Sequence, residues 1–129
     1  MLIRVLFPTL FLSGLVYILH VRAMELSFYW TYWWFDILVH TLTGFVVGLL
    51  TVFLAYRLFP SLSRMQAILI SFLAVFLVAV AWEFFEYING LARAPESYML
   101  DTAVDIVVGM LGGLGGALYV SAVRTEKYE

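Results

Sequence analysis

Six ionisable side chains lie near the ends of long apolar segments, where such a group is costly and is usually retained for a function. They are five carboxylates and one imidazole: Asp36, His40, Glu83, Glu86, Asp101 and Asp105. Carboxylates and imidazoles presented by facing helices are typical ligands of divalent metal ions. The residue types therefore indicate a metal site, with a divalent ion as the expected cofactor.

Residue spacing predicts that this acidic group faces the interior of a helix bundle. Asp36 and His40 are four residues apart, so they share one face of a helix. Small residues continue the same faces and allow helices to approach closely in lipid. These predicted helix-packing residues are Gly44, Gly48, Gly109, Gly112, Gly113 and Gly116.

So many carboxylates at one end of a bundle require compensation. Two carboxylates about 5 Å apart repel by roughly 3 kcal/mol at an effective dielectric constant near 20. The group must therefore hold protons, recruit an arginine or bind a cation. Three interpretations stay open: a metal site, a hydrogen-bonded structural lock, and a proton or cation pathway. The other polar residues expected at this site are His20, Tyr87 and Arg93, joined in the lock by Asn89.

The composition indicates whether this chain folds in water or in a membrane. Of its 129 residues, 64% are hydrophobic and only 12% are charged, which excludes a water-soluble enzyme and a disordered chain. A net charge of −2 offers no basic patch for nucleic acid. The chain has no cysteine, so disulfides and thiolate metal sites are excluded as well.

The apolar segments predict an all-α, polytopic membrane protein built as a four-transmembrane-helix bundle. We expect one integral membrane domain over residues 1–129, with spans at about 5–20, 35–56, 65–87 and 101–123. We interpret the first apolar segment as a retained helix rather than a signal peptide. The aromatic segment 27–34 is expected to form a belt at the membrane interface.

Basic residues predict the orientation of the spans. Positive charge collects on the cytoplasmic side, and five basic residues lie at the termini and in the second connection, against two on the other side. The two groups are Arg4, Arg57, Arg64, Arg124 and Lys127, and Arg22 and Arg93. We therefore expect both termini in the cytoplasm, the acidic site facing outward, and a multi-pass protein of the inner cell membrane.

Three short motifs resemble those of the YjdF-like inner-membrane proteins. They are Asp36-Ile-Leu-Val-His40-Thr-Leu-Thr-Gly44-Phe45, Trp82-Glu83-Phe-Phe-Glu86-Tyr87 and Leu100-Asp101-Thr102-Ala-Val-Asp105-Ile106. A more distant likeness is to VanZ-like proteins, but Asp105 stands where that pattern has Asn. The resemblance implies a small polytopic membrane protein whose chemistry is not established, so it supports the choice of residues more than it names an activity.

These observations lead to one functional hypothesis and two alternatives. We expect an outward-facing carboxylate and histidine site that binds a cation and extends to metal-assisted chemistry on a lipid headgroup or envelope substrate. The alternatives are a non-catalytic accessory or scaffold subunit of a larger membrane complex, and transport of protons or small ions. The lipid bilayer is the expected partner, nucleic acid is excluded, and a homo-oligomer or larger complex stays open. No catalytic residue is assigned from the sequence.

Overall fold

The computed structural model describes residues 2–91 and 97–125, and within these ranges the chain forms helices and no strands. The helices are α1 (Leu2–Leu26), α2 (Phe28–Thr31), α3 (Trp33–Leu58), α4 (Arg64–Ile88) and α5 (Tyr98–Thr125). Four of them, all except the single-turn α2, are long and apolar enough to cross a membrane. This confirms the predicted all-α class. Each predicted span falls inside one helix, which extends past it by one or more residues at both ends.

Short local devices separate the helices. After α1, Ser27 adopts a left-handed conformation with φ 58°, and the aromatic α2 follows directly. Before α4, Ser63 and Gln66 form a reciprocal capping box: the Gln66 backbone N–H donates to Ser63 Oγ at 3.2 Å, and the Ser63 N–H donates to Gln66 Oε1 at 2.9 Å. The turn at Ser27 follows the end of α1, and the capping box starts α4.

Helix α3 is central and packs most extensively against α5. The two helices run in the same direction, because Gly44 faces Gly109 and, one turn later, Gly48 faces Gly113. A Cβ atom on Gly44 or Gly48 would overlap the facing backbone of α5, and one on Gly112 or Gly116 would overlap the backbone of α3. The glycines thus permit backbone contact between parallel helices.

The two ends of the helix assembly differ in chemistry. We call the end where α3 and α5 begin, and α1 and α4 end, the site end. At the opposite end, the Arg124 guanidinium lies 3.9 Å from the centre of the Tyr56 ring. It also donates hydrogen bonds to the carbonyl oxygens of Leu62 at 3.1 Å and Pro60 at 2.6 Å. Arg124 therefore ties the end of α5 to the connection between α3 and α4.

Candidate metal centre

Asp36, His40 and Asp105 converge at the site end, between α3 and α5. One potential ligand atom from each side chain lies within 4.8 Å of the other two. His40 Nε2 lies 3.3 Å from Asp36 Oδ1, and these two side chains are 10% and 13% exposed. Asp105 is 3% exposed. Two carboxylates and one imidazole thus share a small, nearly dry volume.

Glu83 adds a third acidic side chain, contributed by α4. It is only 5% exposed, and its Oε2 accepts a hydrogen bond from Thr102 Oγ1 of α5 at 2.7 Å. Its other oxygen, Oε1, is buried and has no hydrogen-bond partner among residues 2–91 and 97–125. Glu83 is close enough to His40 and Asp36 to interact electrostatically with both. A buried carboxylate oxygen without a donor is costly, so this atom is suited to a ligand.

Glu86 and Asp101 lie at the edge of the site. Glu86 Oε1 accepts a hydrogen bond from Trp82 Nε1 at 2.8 Å, one turn earlier in α4. Asp101 lies in the first turn of α5 and is partly buried. Together with Asp36, both line a small recess of about 30 Å³ at the site end. Of the six residues predicted as ligands, three lie outside the compact group of Asp36, His40 and Asp105: Glu83 is buried beside it, and Glu86 and Asp101 lie at its edge.

His20 belongs to an aromatic cluster rather than to the acidic group. Its Nδ1 lies 2.8 Å from the Tyr29 hydroxyl, and its ring packs edge-on to Trp82 with the ring centres 5.8 Å apart. These contacts join the end of α1 to α2 and α4. His20 also lines the recess beside Asp36 and Glu86.

Two of the remaining predicted polar residues, Tyr87 and Asn89, make their contacts outside the acidic group. Tyr87 is 63% exposed, and its ring packs against Tyr98 with the centres 5.5 Å apart. Tyr87 therefore lies largely exposed, with its ring against Tyr98. Asn89 is exposed and donates to the Phe85 carbonyl oxygen at 2.7 Å, so it serves the end of α4. Arg93 lies outside the described residues, as does Lys127.

An apolar cavity of about 360 Å³ adjoins the acidic group. It lies among α1, α3 and α4, and Asp36, His40 and Glu86 line its polar part. Valine side chains form much of the remaining wall: Val16, Val39, Val46, Val47, Val75 and Val78. The acidic group therefore borders a space open to an apolar ligand.

Two contributors were not predicted from the sequence. Thr102 lies in the third of the sequence motifs, yet its hydrogen bond to Glu83 joins two helices whose relative register the local sequence does not encode. Tyr29 was grouped with the interfacial aromatics, although its hydroxyl pairs with His20. The position of Thr102 directly after Asp101, at the start of a helix, is the only sequence signal for the role of Thr102. No sequence signal indicates the role of Tyr29.

Fold and site together define a multi-pass membrane protein with a buried carboxylate and histidine group at one end of four membrane-length helices. The chain belongs to the predicted membrane protein family DUF2238, whose profile matches residues 4–126. This membership is consistent with the resemblance to YjdF-like proteins, whereas the likeness to VanZ-like proteins is not shown. No curated protein and no solved structure matches the chain.

Proposed function

We propose that Asp36, His40 and Asp105 bind a divalent metal ion, with Glu83 beside it. The supporting observation is the convergence of three ligand atoms within 4.8 Å. Ligand atoms bound about 2.0–2.2 Å from one ion lie roughly 3–4 Å apart. Side-chain adjustments on the order of an ångström would therefore place all three around one ion. A mixed set of carboxylate and imidazole ligands suits Zn²⁺ or Mn²⁺.

The charge balance supports a cation in this position. Asp36, Asp105 and Glu83 are acidic and largely buried, and His40 interacts electrostatically with all three. A divalent ion held by Asp36, His40 and Asp105 would offset this mutual repulsion and place a positive charge near Glu83 Oε1, which has no hydrogen-bond partner among the described residues. The hydrogen-bonded lock does not account for that atom within the described residues.

A bound metal would make this site suitable for chemistry at the membrane surface. Three protein ligands leave a coordination position for a substrate oxygen, which the ion would polarise as a Lewis acid. Glu83, hydrogen-bonded to Thr102 through one oxygen, would hold or release a proton with the other. The proposed reaction class is metal-assisted hydrolysis or transfer on a lipid headgroup or envelope substrate.

Metal stoichiometry tests the proposal directly. Purified protein is stripped with EDTA, reloaded with Zn²⁺ or Mn²⁺, desalted and analysed by inductively coupled plasma mass spectrometry. We expect one ion per chain in the wild type, and loss of the ion in His40→Ala and Asp105→Asn. His20→Ala is the matched control, because His20 pairs with Tyr29 instead of the acidic group. Folded wild-type protein that retains neither ion would contradict the proposal.

A further inference from the structure

The end of the helix assembly opposite the acidic group carries one arginine from each membrane-length helix; we call it the basic end. Arg4 lies in the first turn of α1, Arg57 in the last turn of α3, Arg64 at the start of α4 and Arg124 in the last turn of α5. All carboxylate side chains among residues 2–91 and 97–125 lie at the site end. The sequence after α5 adds one lysine and two glutamates, so the basic end keeps five basic residues against two acidic ones.

Arg57 and Arg64 are the two arginines of this end that the described protein leaves without a partner. Both are exposed, and neither guanidinium makes a hydrogen bond, an ion pair or a ring contact within the described residues. Arg64 begins α4, where the positive end of the helix dipole disfavours a cation, so its charge does not stabilise that helix. The two guanidinium groups are therefore available to an anion outside the protein.

The connection between Arg57 and Arg64 is held in place without the help of their side chains. The Leu62 N–H donates to the Phe59 carbonyl oxygen at 3.1 Å, and Arg124 donates to two carbonyl oxygens of the connection. Helices α3 and α4 also pack against each other. The two arginines thus lie at adjoining helix ends in a fixed arrangement, which lowers the cost of ordering them around one ligand.

Apolar side chains beside these arginines indicate where the ligand lies. Leu58, Phe59 and Met65 are all largely exposed. In a membrane-spanning chain such side chains lie in the hydrocarbon, while neighbouring arginines extend to the level of the headgroups. In the orientation expected from the sequence, this end lies at the cytoplasmic leaflet, whose surface potential is negative.

We propose that the basic end binds one anionic phospholipid, with Arg57 and Arg64 on the headgroup phosphate and the acyl chains beside Leu58, Phe59 and Met65. A guanidinium matches the geometry of phosphate oxygens and keeps its charge at any physiological pH. A zwitterionic headgroup brings an ammonium, which the surrounding arginines repel, whereas a glycerol headgroup does not. The surface lies at the other end of the protein from the acidic group, so this inference does not depend on the proposed function.

Lipid competition tests the proposal on the full-length protein. Delipidated protein in mild detergent is mixed with equal amounts of dioleoyl phosphatidylglycerol and dioleoyl phosphatidylethanolamine, and bound lipid is counted by native mass spectrometry. We expect preferential retention of one phosphatidylglycerol per chain. Equal retention of the two lipids, or retention of neither, would overturn the proposal.

Matched variants locate the binding surface. Arg57→Gln and Arg64→Gln should each weaken the preference for phosphatidylglycerol on the order of fivefold, and both together should abolish it. Arg22→Gln is the control, because Arg22 is also exposed but lies at the site end, paired with Glu25 at 2.9 Å. Arg57→Lys with Arg64→Lys keeps the charge and should retain most of the preference, which guards against a folding defect in the glutamine variants. An equal loss in Arg22→Gln and Arg64→Gln would overturn the proposal.

Inorganic phosphate separates a lipid surface from a site for the free anion. It carries the same charged oxygens without acyl chains. Added at an ionic strength matched with sodium chloride, it should not displace phosphatidylglycerol more than the chloride does. Selective displacement by inorganic phosphate would show that the arginines bind free phosphate, and would overturn the assignment to a lipid.

Discussion

His40 on α3 and Asp105 on α5 face each other one helical turn before the first glycine contact between the two helices. The contacts that follow keep the same register: Gly44 faces Gly109, Gly48 faces Gly113, and the Tyr56 hydroxyl lies 3.4 Å from Ser121 Oγ. In each pair the two residues are 65 positions apart, as they are in His40 and Asp105. The close packing of parallel helices therefore sets which acidic residue of α5 meets the imidazole.

Substitution of glycines in this interface should destabilise the protein more than substitution of a glycine outside it. In Gly112→Ala the new methyl group would overlap the Thr41 carbonyl, which belongs to helix backbone and has little freedom to move. We expect a loss of about 1–3 kcal/mol in the free energy of unfolding. Thermal denaturation in detergent, followed by size-exclusion chromatography, measures the change. Gly14→Ala is the control, since no described residue beyond its own helix backbone and chain neighbours lies within 4 Å of a Cβ atom there. Equal melting of the two variants would contradict the packing argument.

The hydrogen bond from Thr102 to Glu83 should stabilise the acidic group and increase its affinity for a metal ion. Thr102→Val removes the 2.7 Å hydrogen bond and leaves both carboxylate oxygens of Glu83 without a protein donor. We expect destabilisation of about 1–3 kcal/mol, together with a loss in metal affinity on the order of 10–100-fold. Metal titration and thermal denaturation measure the two effects.

Two variants show whether the effect comes from that hydrogen bond. Thr102→Ser keeps the hydroxyl and should restore affinity. Thr41→Val should have little effect, because the Thr41 hydroxyl bonds within its own helix, to the Ile37 carbonyl oxygen at 2.7 Å. Unchanged metal affinity in Thr102→Val would show that Glu83 does not act at the metal.

Arg124 should stabilise the opposite end through geometry as well as charge. Its guanidinium stacks on Tyr56 and bonds two carbonyl oxygens, which a lysine ammonium cannot do at the same time. We therefore expect Arg124→Lys to lower the melting temperature in detergent. Arg57→Lys should not, because Arg57 is exposed at the end of α3. Identical melting of both variants would indicate that charge alone matters at residue 124.

The predicted orientation is open to a direct chemical test, because the chain contains no cysteine. Asn89 follows α4 at the site end, and Ser61 lies in the connection at the opposite end; both are exposed. A membrane-impermeant maleimide added to intact cells should label Asn89→Cys. It should label Ser61→Cys only after the membrane is permeabilised. The reverse pattern would place the acidic site on the cytoplasmic side.

Local sequence patterns predicted the features that depend on one helix at a time. Continuous apolar segments identified the four spans, and the four-residue spacing placed Asp36 and His40 on one face. The three-residue spacing of Glu83 and Glu86 did not show which of them would be buried. In the structure Glu83 meets Thr102 of α5, and Glu86 lines the cavity on another side of α4.

Composition and helical periodicity thus determined the membrane environment, the number of membrane-length helices and the set of acidic residues at one end. They could not determine that Asp105, rather than Asp101, joins Asp36 and His40, or that a cavity separates α1 from α4. Those features depend on the register and spacing between helices far apart in the chain. Close backbone packing at glycines fixes that register for α3 and α5, whereas α1 and α4 make their contacts chiefly through α3 and leave a gap between them.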